Sequence, residues 1–139
     1  MTARPLTYPR THRLSSPLRF KAVYDARVRD TRGPLVIYAL PNRLQHCRLG
    51  LSVSRRVGTA PRRNRIKRLL RESFRAMQHD MPGAYDLVIV LRPHVPMTLA
   101  EYQGILRAAV AKVHSAWERR PRDEKPPAPK PADDSAPKA

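Results

Sequence analysis

The sequence predicts an α/β protein, specifically an α+β two-layer sandwich in which helices flank a small central sheet. Three observations favour this class: a helical apolar stripe after a proline near residue 17, several short segments typical of strands, and a long helical stripe that ends near residue 117. The expected element order is α-β-β-β-α-β-α. These elements form one domain, 1–120, which is long enough for a single hydrophobic core.

The first helix is predicted to start at Ser16 and Pro17, because serine is a favoured N-cap residue and proline is tolerated in the first turn. Phe20, Val23 and Tyr24 then follow at the i, i+3, i+4 spacing of an apolar helix face. We therefore expect a short first helix with one apolar face.

Of the three strands expected before the central helix, two can be located from the sequence. Residues 35–40 form an apolar run after Gly33-Pro34, and residues 48–54 alternate between apolar and small side chains. Gly50, Ser52 and Ser54 share one face of the second strand, where small residues either admit a close backbone or base or simply face solvent. The run at 86–91 predicts a buried strand after the central helix.

The central helix is predicted between Ala60 and Met77 and carries two opposed faces. Successive residues advance by about 100° around a helix, which places these apolar residues on one stripe: Ile66, Leu69, Leu70, Phe74 and Met77. The same geometry gathers on the opposite side a set that we call the cationic ridge: Asn64, Lys67, Arg68, Arg71 and Arg75. The stripe should dock on the core, so the ridge should face outward.

The last helix has a clear start signal. Thr98 and Glu101 have the spacing of a capping box, in which each side chain accepts from the other residue's backbone N–H. Apolar residues then keep helical spacing as far as Trp117. Beyond it, residues 121–139 contain six prolines and no large apolar residue, which predicts a disordered Pro-rich tail.

The charge of the chain indicates a polyanionic partner. Its 28 Lys and Arg outnumber 11 Asp and Glu, which gives a net charge of +17, and such self-repulsion favours partners that neutralise it. Nucleic acid is the first candidate. A membrane partner is disfavoured because the chain lacks an apolar run of about 18 residues. The first 13 residues do not resemble a signal peptide, so we expect a cytoplasmic protein.

A merely solvated helix would not explain the central segment. Glu72 is the only acid available to the ridge and is expected to pair with Arg68. Arg62 and Arg63 lie near the positive end of the helix dipole, where cations are unfavourable by about 0.3–1 kcal/mol each at low salt. Bound phosphates would reverse these penalties, which favours a nucleic-acid contact.

Residues suited to catalysis or metal binding are few. Cys47 is the only cysteine and is expected to be a small buried apolar residue, while the five histidines lack metal-ligand spacing. The seven carboxylates of residues 1–120 form no motif of the kind that a two-metal nuclease needs. The sequence therefore predicts a protein that binds nucleic acid and does not itself cut it.

A family resemblance makes this prediction more specific. Leu49-Gly50-Leu51-Ser52-Val53-Ser54-Arg55-Arg56-Val57-Gly58-Thr59-Ala60, followed by Arg63-Asn64-Arg65-Ile66-Lys67-Arg68-Leu69-Leu70-Arg71-Glu72, resembles the signature of the bacterial ribonuclease P protein component. The segment around Phe20 and Tyr24 is also similar, so the resemblance covers roughly residues 10 to 115. Pro61 departs from the family pattern, but the first turn of a helix accepts proline.

The resemblance implies a protein subunit of an RNA-catalysed endoribonuclease that removes the 5′ leader from precursor tRNA. In that family the RNA subunit holds the active site and its Mg²⁺ ions, so no catalytic residue, metal ligand or small-molecule substrate is expected of this chain. The protein would bind the catalytic RNA and the single-stranded leader and would lower the Mg²⁺ requirement. The family fold also places the basic helix in a left-handed β-α-β crossover.

Two sets of contact residues follow from the resemblance. The RNA-binding set is Arg55, Arg56, Arg63, Asn64, Arg65, Lys67, Arg68, Arg71 and Arg75. The leader-binding cleft is lined by Phe20, Tyr24 and Tyr38, whose rings suit base stacking and equally suit core packing. Two alternatives stay open from the residues alone: a ribosomal or general RNA-binding structural protein, and a duplex-DNA binder that reads the major groove with the basic helix.

Overall fold

The computed structural model describes residues 12–120. Its elements, in chain order, are α1 (Pro17–Ala26), β1 (Arg29–Arg32), β2 (Leu35–Pro41), β3 (Arg48–Ser52), α2 (Ala60–Met77), β4 (Tyr85–Leu91) and α3 (Leu99–Glu118). The expected order α-β-β-β-α-β-α is confirmed. The predicted tail, 121–139, lies outside the described residues.

The four strands form one sheet in the order β1-β2-β4-β3. β1 and β2 are antiparallel, β2 and β4 are antiparallel, and β3 runs parallel to β4. α2 connects β3 to β4, so these three elements form a β-α-β crossover between neighbouring strands. The left hand expected for this crossover stays a prediction.

The register divides the sheet residues between two faces, because side chains alternate along a strand. One face carries buried aliphatic side chains, among them Ile37, Leu49 and Ile89, under the layer formed by α2 and α3. The other face carries Tyr38, Gly50 and Asp86, and α1 packs on this side. α1 covers only part of that face, since Ser52 and Val90 at its far end are only half-buried.

The helix ends follow from local chemistry. Ser16 is the N-cap residue of α1, but its side chain makes no capping hydrogen bond. Thr59 caps α2 by accepting from the Arg62 backbone N–H, and the helix continues undisturbed through Pro61. The predicted capping box of Thr98 and Glu101 is present at the start of α3.

One strand differs from the prediction in its end, and another could not have been located in the sequence. β3 ends at Ser52 instead of residue 54, because the Ser54 carbonyl accepts from the Val57 N–H and starts a short 3-10 helix at Arg55–Val57. β1 has no apolar pattern by which it could have been located, since all of its residues are polar and it lies at the edge of the sheet.

The core contains most of the residues that the periodicity predicted, while Leu69 and Ile105 are half-buried and pack against it. Trp117 is 1% exposed and donates its indole N–H to the Ala39 carbonyl at 3.0 Å, which joins α3 to β2. Cys47 is buried as predicted, and burial raises the pKa of its thiol to about 11. Among residues 12–120 no helix is both long enough and apolar enough to cross a membrane.

Candidate RNA interface

The cationic ridge lies on one outward face of α2. Together with Glu72, its five members surround a shallow depression of about 350 Å³. Ile66, Leu70 and Phe74 are fully buried on the opposite face of the helix. The core therefore determines which side of α2 is presented, and that side is the one rich in cations.

The predicted ion pair between Glu72 and Arg68 is wrong. Glu72 instead receives hydrogen bonds from both Nε and Nη2 of Arg75, at 3.1 and 2.5 Å, in a forked arrangement that the guanidinium favours. These hydrogen bonds lower the pKa of Glu72. Arg75, at the C-terminal end of the ridge, is therefore partly neutralised, while Arg68 keeps its full charge for a ligand.

The remaining cations of the predicted RNA-binding set form no ion pair within residues 12–120. These residues are Arg55, Arg56, Arg63, Arg65, Lys67, Arg68 and Arg71. Because such a cluster repels itself, it favours a ligand that brings negative charge to the surface. The ridge thus has the electrostatics expected of a phosphate-binding surface.

The turn before α2 contains or contacts part of the predicted RNA-binding set. Arg55 and Arg56 are exposed in the 3-10 helix, which is anchored by the buried Val57. Arg63 donates from Nε to the Gly58 carbonyl at 3.2 Å, so this arginine also stabilises the turn. Arg65 is exposed but does not line the depression of the ridge. The set is therefore spread over two sides of the helix start.

The three aromatic residues predicted for the cleft are neighbours in space, with Phe20 and Tyr24 on α1 and Tyr38 on β2. The ring centroids of Phe20 and Tyr24 are 6.4 Å apart, and those of Tyr24 and Tyr38 are 4.9 Å apart. Each ring is half-buried and packs against the core. Core packing and partial exposure therefore coexist at all three positions, which we call the aromatic ladder.

Gly50 is the point of closest approach beneath this ladder. A Cβ atom built there would lie 2.5 Å from Cζ of Phe20 and 3.1 Å from the Leu14 carbonyl oxygen. The small residue predicted to admit a base or a backbone therefore admits the Phe20 ring of the same chain. Glycine at this position lets the Phe20 ring of α1 lie directly against β3.

A cavity of about 320 Å³ joins the ladder to the ridge. Its lining includes Phe20 and Gly50 on one side and Lys67 and Arg71 on the other. Arg13 also lines this cavity, so an apolar ring and three cations face the same space. This combination suits a nucleotide, whose base can stack while its phosphate is neutralised.

A buried ionic cluster that the sequence did not reveal holds α1 in place. Asp86 on β4 is 0% exposed and accepts hydrogen bonds from Arg19 of α1, from Arg48 of β3 and from Asn42, at distances of 2.6 to 3.1 Å. Burial alone would raise the pKa of this carboxyl group, but the hydrogen bonds from Arg48, Arg19 and Asn42 hold it below its usual value. Since Phe20 follows Arg19, the cluster also positions the first ring of the ladder.

Histidines far apart in the sequence meet near the same end of the sheet, where Asn42 also donates to the His46 carbonyl at 3.4 Å. The rings of His12 and His46 are 4.0 Å apart, and both line a cavity with His79. Burial and the two neighbouring histidines lower the pKa of His12. Among residues 12–120 no three His, Cys, Asp or Glu side chains are placed to hold a metal ion.

Fold and surface together define an RNA-binding protein of the α+β class, in which cations on a helix adjoin aromatic rings on a sheet. A family model described as Ribonuclease P matches residues 8–116. The ribonuclease P protein component of Methylococcus capsulatus is 44% identical over 102 residues, which cover 73% of this chain and 77% of that relative.

Solved structures agree with this match. The ribonuclease P protein of Staphylococcus aureus is 31% identical with a TM-score of 0.64, and the match covers 73% of this chain and 96% of that one. The protein from Thermotoga maritima is 25% identical with a TM-score of 0.55, covering 78% and 97%. The chain belongs to the ribonuclease P protein family and is thus a subunit of a ribonucleoprotein endonuclease that processes tRNA.

Proposed function

We propose that this chain binds the catalytic RNA subunit and the 5′ leader of precursor tRNA at the same time, while the RNA performs the cleavage. The cavity shared by Phe20, Gly50, Lys67 and Arg71 is the observation that carries this proposal. It connects a surface suited to structured RNA with a surface suited to a single strand. A protein with this arrangement can hold the leader next to the RNA that cuts it.

The ridge would supply the electrostatic part of the function. Two RNAs that meet repel each other through their phosphates, and cations placed between them reduce this repulsion. Lys67, Arg68 and Arg71 lie on the outward face and form no ion pair within the described residues. By neutralising phosphates they would replace part of the Mg²⁺ that the RNA otherwise needs, which lowers the Mg²⁺ requirement.

The aromatic ladder would supply the preference for precursor over mature tRNA. Stacking of a base on an aromatic side chain is worth about 1–3 kcal/mol and tolerates any sequence. Mature tRNA has no leader to place in the cleft, so it gains none of this free energy. The cleft therefore favours binding of the substrate over binding of the product.

Mg²⁺ belongs to the RNA subunit in this proposal. Asp86, the most buried carboxylate within residues 12–120, already accepts hydrogen bonds from two arginines and an asparagine, which makes it a poor ligand for a cation. Bound in the RNA, Mg²⁺ would supply the activated water and stabilise the leaving oxygen. The proposal also includes a cytoplasmic site of action, as expected from the sequence.

Reconstitution with a bacterial ribonuclease P RNA tests the proposal. The protein should stimulate cleavage of the leader at Mg²⁺ concentrations where the RNA alone is slow, because it replaces part of the ionic screening. The variant Arg68→Ala/Arg71→Ala should fold but stimulate less, and the slope of log affinity against log salt should fall by about 0.7–0.9 for each lost phosphate contact.

The matched control removes two exposed cations from α3. Arg107→Gln/Lys112→Gln lowers the net charge equally but leaves the ridge intact. Absence of stimulation by the folded wild-type protein would overturn the proposal. Tighter binding to duplex DNA than to precursor tRNA at matched salt would favour the DNA-binding alternative, and equal binding of all structured RNAs would favour a general RNA-binding protein.

A further inference from the structure

A second group of cations lies at the edge of the sheet opposite the ridge. We call it the β1 corner and define it by Arg27, Arg29 and Arg120. Arg27 directly follows α1 and Arg29 begins β1, with Val28 between them, and Arg120 reaches back from the end of α3 to donate to the Ala26 carbonyl at 3.5 Å. Three arginines from separate elements therefore meet at one corner of the molecule.

The corner is held in place by aromatic contacts. The guanidinium of Arg120 lies 4.7 Å from the centre of the buried Trp117 ring, and that of Arg29 lies 5.9 Å from the centre of the Tyr38 ring. Arg29 also donates to the Tyr38 hydroxyl at 3.5 Å. Ordered cations lose less conformational entropy on binding than free ones, which favours a binding role.

Acids do not neutralise the corner within residues 12–120. The two nearest in sequence are engaged elsewhere, Asp25 with Lys21 at 2.7 Å and Asp30 with Arg32 at 2.5 Å. Glu118 is exposed near Arg120 but forms no ion pair among the described residues. The corner thus keeps a net positive charge.

The sheet register connects this corner to the cavity beside the ridge. Gly50 pairs with Val88, Val88 with Tyr38, and Tyr38 with Arg29, so these four residues form one row across all four strands. With strands about 4.8 Å apart, the row spans about 14 Å. Phe20 and Tyr24 lie on this row from above, and Arg29 ends it.

From this geometry we infer that the β1 corner binds phosphates of the leader beyond the nucleotides that occupy the aromatic ladder. This inference rests on the proposed function. A single strand that enters between Phe20 and the ridge and follows the ladder reaches Arg29 next. The corner thus extends the leader-binding surface to the far edge of the sheet, and its ligand is the phosphodiester backbone of single-stranded RNA without sequence preference.

Precursor tRNAs with leaders lengthened one nucleotide at a time test this inference in the reconstituted holoenzyme. The affinity of the wild type should rise while the leader fills the ladder and rise again when it reaches the corner. The variant Arg27→Asn/Arg29→Gln should lose the second rise and keep the first. Asparagine suits position 27, where the backbone has a left-handed φ of 62°.

Salt dependence gives an independent readout. With a long leader, the variant should lose about 0.7 of the log–log slope for each single-strand phosphate contact that is removed, and with a short leader the slope should not change. The control Arg107→Gln/Lys112→Gln should behave as the wild type with both leaders. Urea unfolding of each variant shows whether the fold is kept.

Three results would overturn the inference. In the first, the variant keeps the full gain in affinity from a long leader. In the second, the affinity of the wild type does not rise after the leader fills the ladder. In the third, the variant loses as much affinity for short leaders, mature tRNA or the isolated RNA subunit as it loses for long leaders. The last result would assign the corner to the RNA subunit. Failure of the proposed function is distinguishable, because then the wild type would show neither stimulated cleavage nor preference for any leader.

Discussion

Substituting Gly50 by alanine should weaken leader binding through a contact inside the protein. The new Cβ would lie 2.5 Å from Cζ and 2.9 Å from Cε1 of Phe20. The Leu14 carbonyl oxygen lies 3.1 Å from the same Cβ, so the alanine cannot relieve the overlap by moving toward Leu14. Carbon atoms pack at about 3.5–4.0 Å, so the ring must move by roughly 1 Å or more. Arg19, held by Asp86, anchors α1 and opposes this movement.

The expected magnitudes follow from that overlap. Overpacking lowers the free energy of unfolding by about 1–3 kcal/mol. The reduced entropy of the unfolded chain raises it by about 0.4–1 kcal/mol and so offsets part of this loss. A displaced Phe20 ring would also lose stacking worth about 1–3 kcal/mol per base, which corresponds to a roughly 5- to 140-fold weaker affinity. Stability should therefore fall slightly, and leader-dependent affinity should fall more.

Urea unfolding and equilibrium binding of precursor and mature tRNA measure the two effects separately. Gly104→Ala is the matched control, because this glycine is exposed on α3 and a Cβ there meets nothing within 4 Å. That variant should be more stable by about 1 kcal/mol, as expected for alanine in a helix, with unchanged affinity. If Gly50→Ala binds precursor tRNA as tightly as the wild type, the Phe20 ring does not take part in leader binding.

Three further predictions concern charges and caps. Asp86→Asn should destabilise the fold by about 3–5 kcal/mol, because two arginines lose their buried counter-charge. The control Asp25→Asn changes an exposed carboxylate and should cost less than about 1 kcal/mol. Equal losses of stability in urea unfolding would contradict this prediction. Since the pKa of Asp86 is lowered, the advantage of the wild type should be complete above about pH 4 and vanish as the pH falls through the lowered pKa. Glu72→Gln should tighten RNA binding, because it removes the carboxylate that neutralises Arg75. The slope of log affinity against log salt should then become steeper. An unchanged slope would place this ion pair outside the interface. Thr98→Ala should cost about 0.5–2 kcal/mol of stability by loss of the cap, and any change in RNA affinity would speak against a purely structural role.

Local patterns in the sequence were sufficient for much of the fold. The bounds of α2 and the capping box of α3 depend on residues within a few positions of one another, and both were predicted. Cys47 could be predicted as buried because it is the only cysteine. The two helix features have a short-range cause and the cysteine follows from residue type, so all three can be predicted without knowledge of tertiary contacts.

The features that were missed depend on tertiary contacts. Asp86 lies 67 residues from Arg19 and 38 from Arg48, so only the sheet brings the cluster together. β1 is entirely polar and is recognised by its pairing with β2. The ion pair of Glu72 was assigned to the wrong neighbour, because both i−4 and i+3 positions carry arginine and only side-chain geometry separates them.

The functional surface was predicted in part for the same reason. Helical periodicity alone gathers the cationic ridge, and the five predicted residues do line one depression. The neighbourhood of Phe20, Lys67 and Arg71 depends on how α1 and α2 meet across β3, which no local pattern reports. The β1 corner is likewise assembled from three elements and had no signal in the sequence.

Site-specific photocrosslinking in the reconstituted holoenzyme tests the central claim most directly. A photoreactive aromatic residue in place of Tyr24 lies in the middle of the aromatic ladder, and one in place of Lys112 lies on the exposed side of α3. We predict that position 24 crosslinks to the 5′ leader of precursor tRNA and that position 112 does not. Crosslinks from position 24 only to the RNA subunit, or equal leader crosslinks from both positions, would contradict a leader-binding cleft.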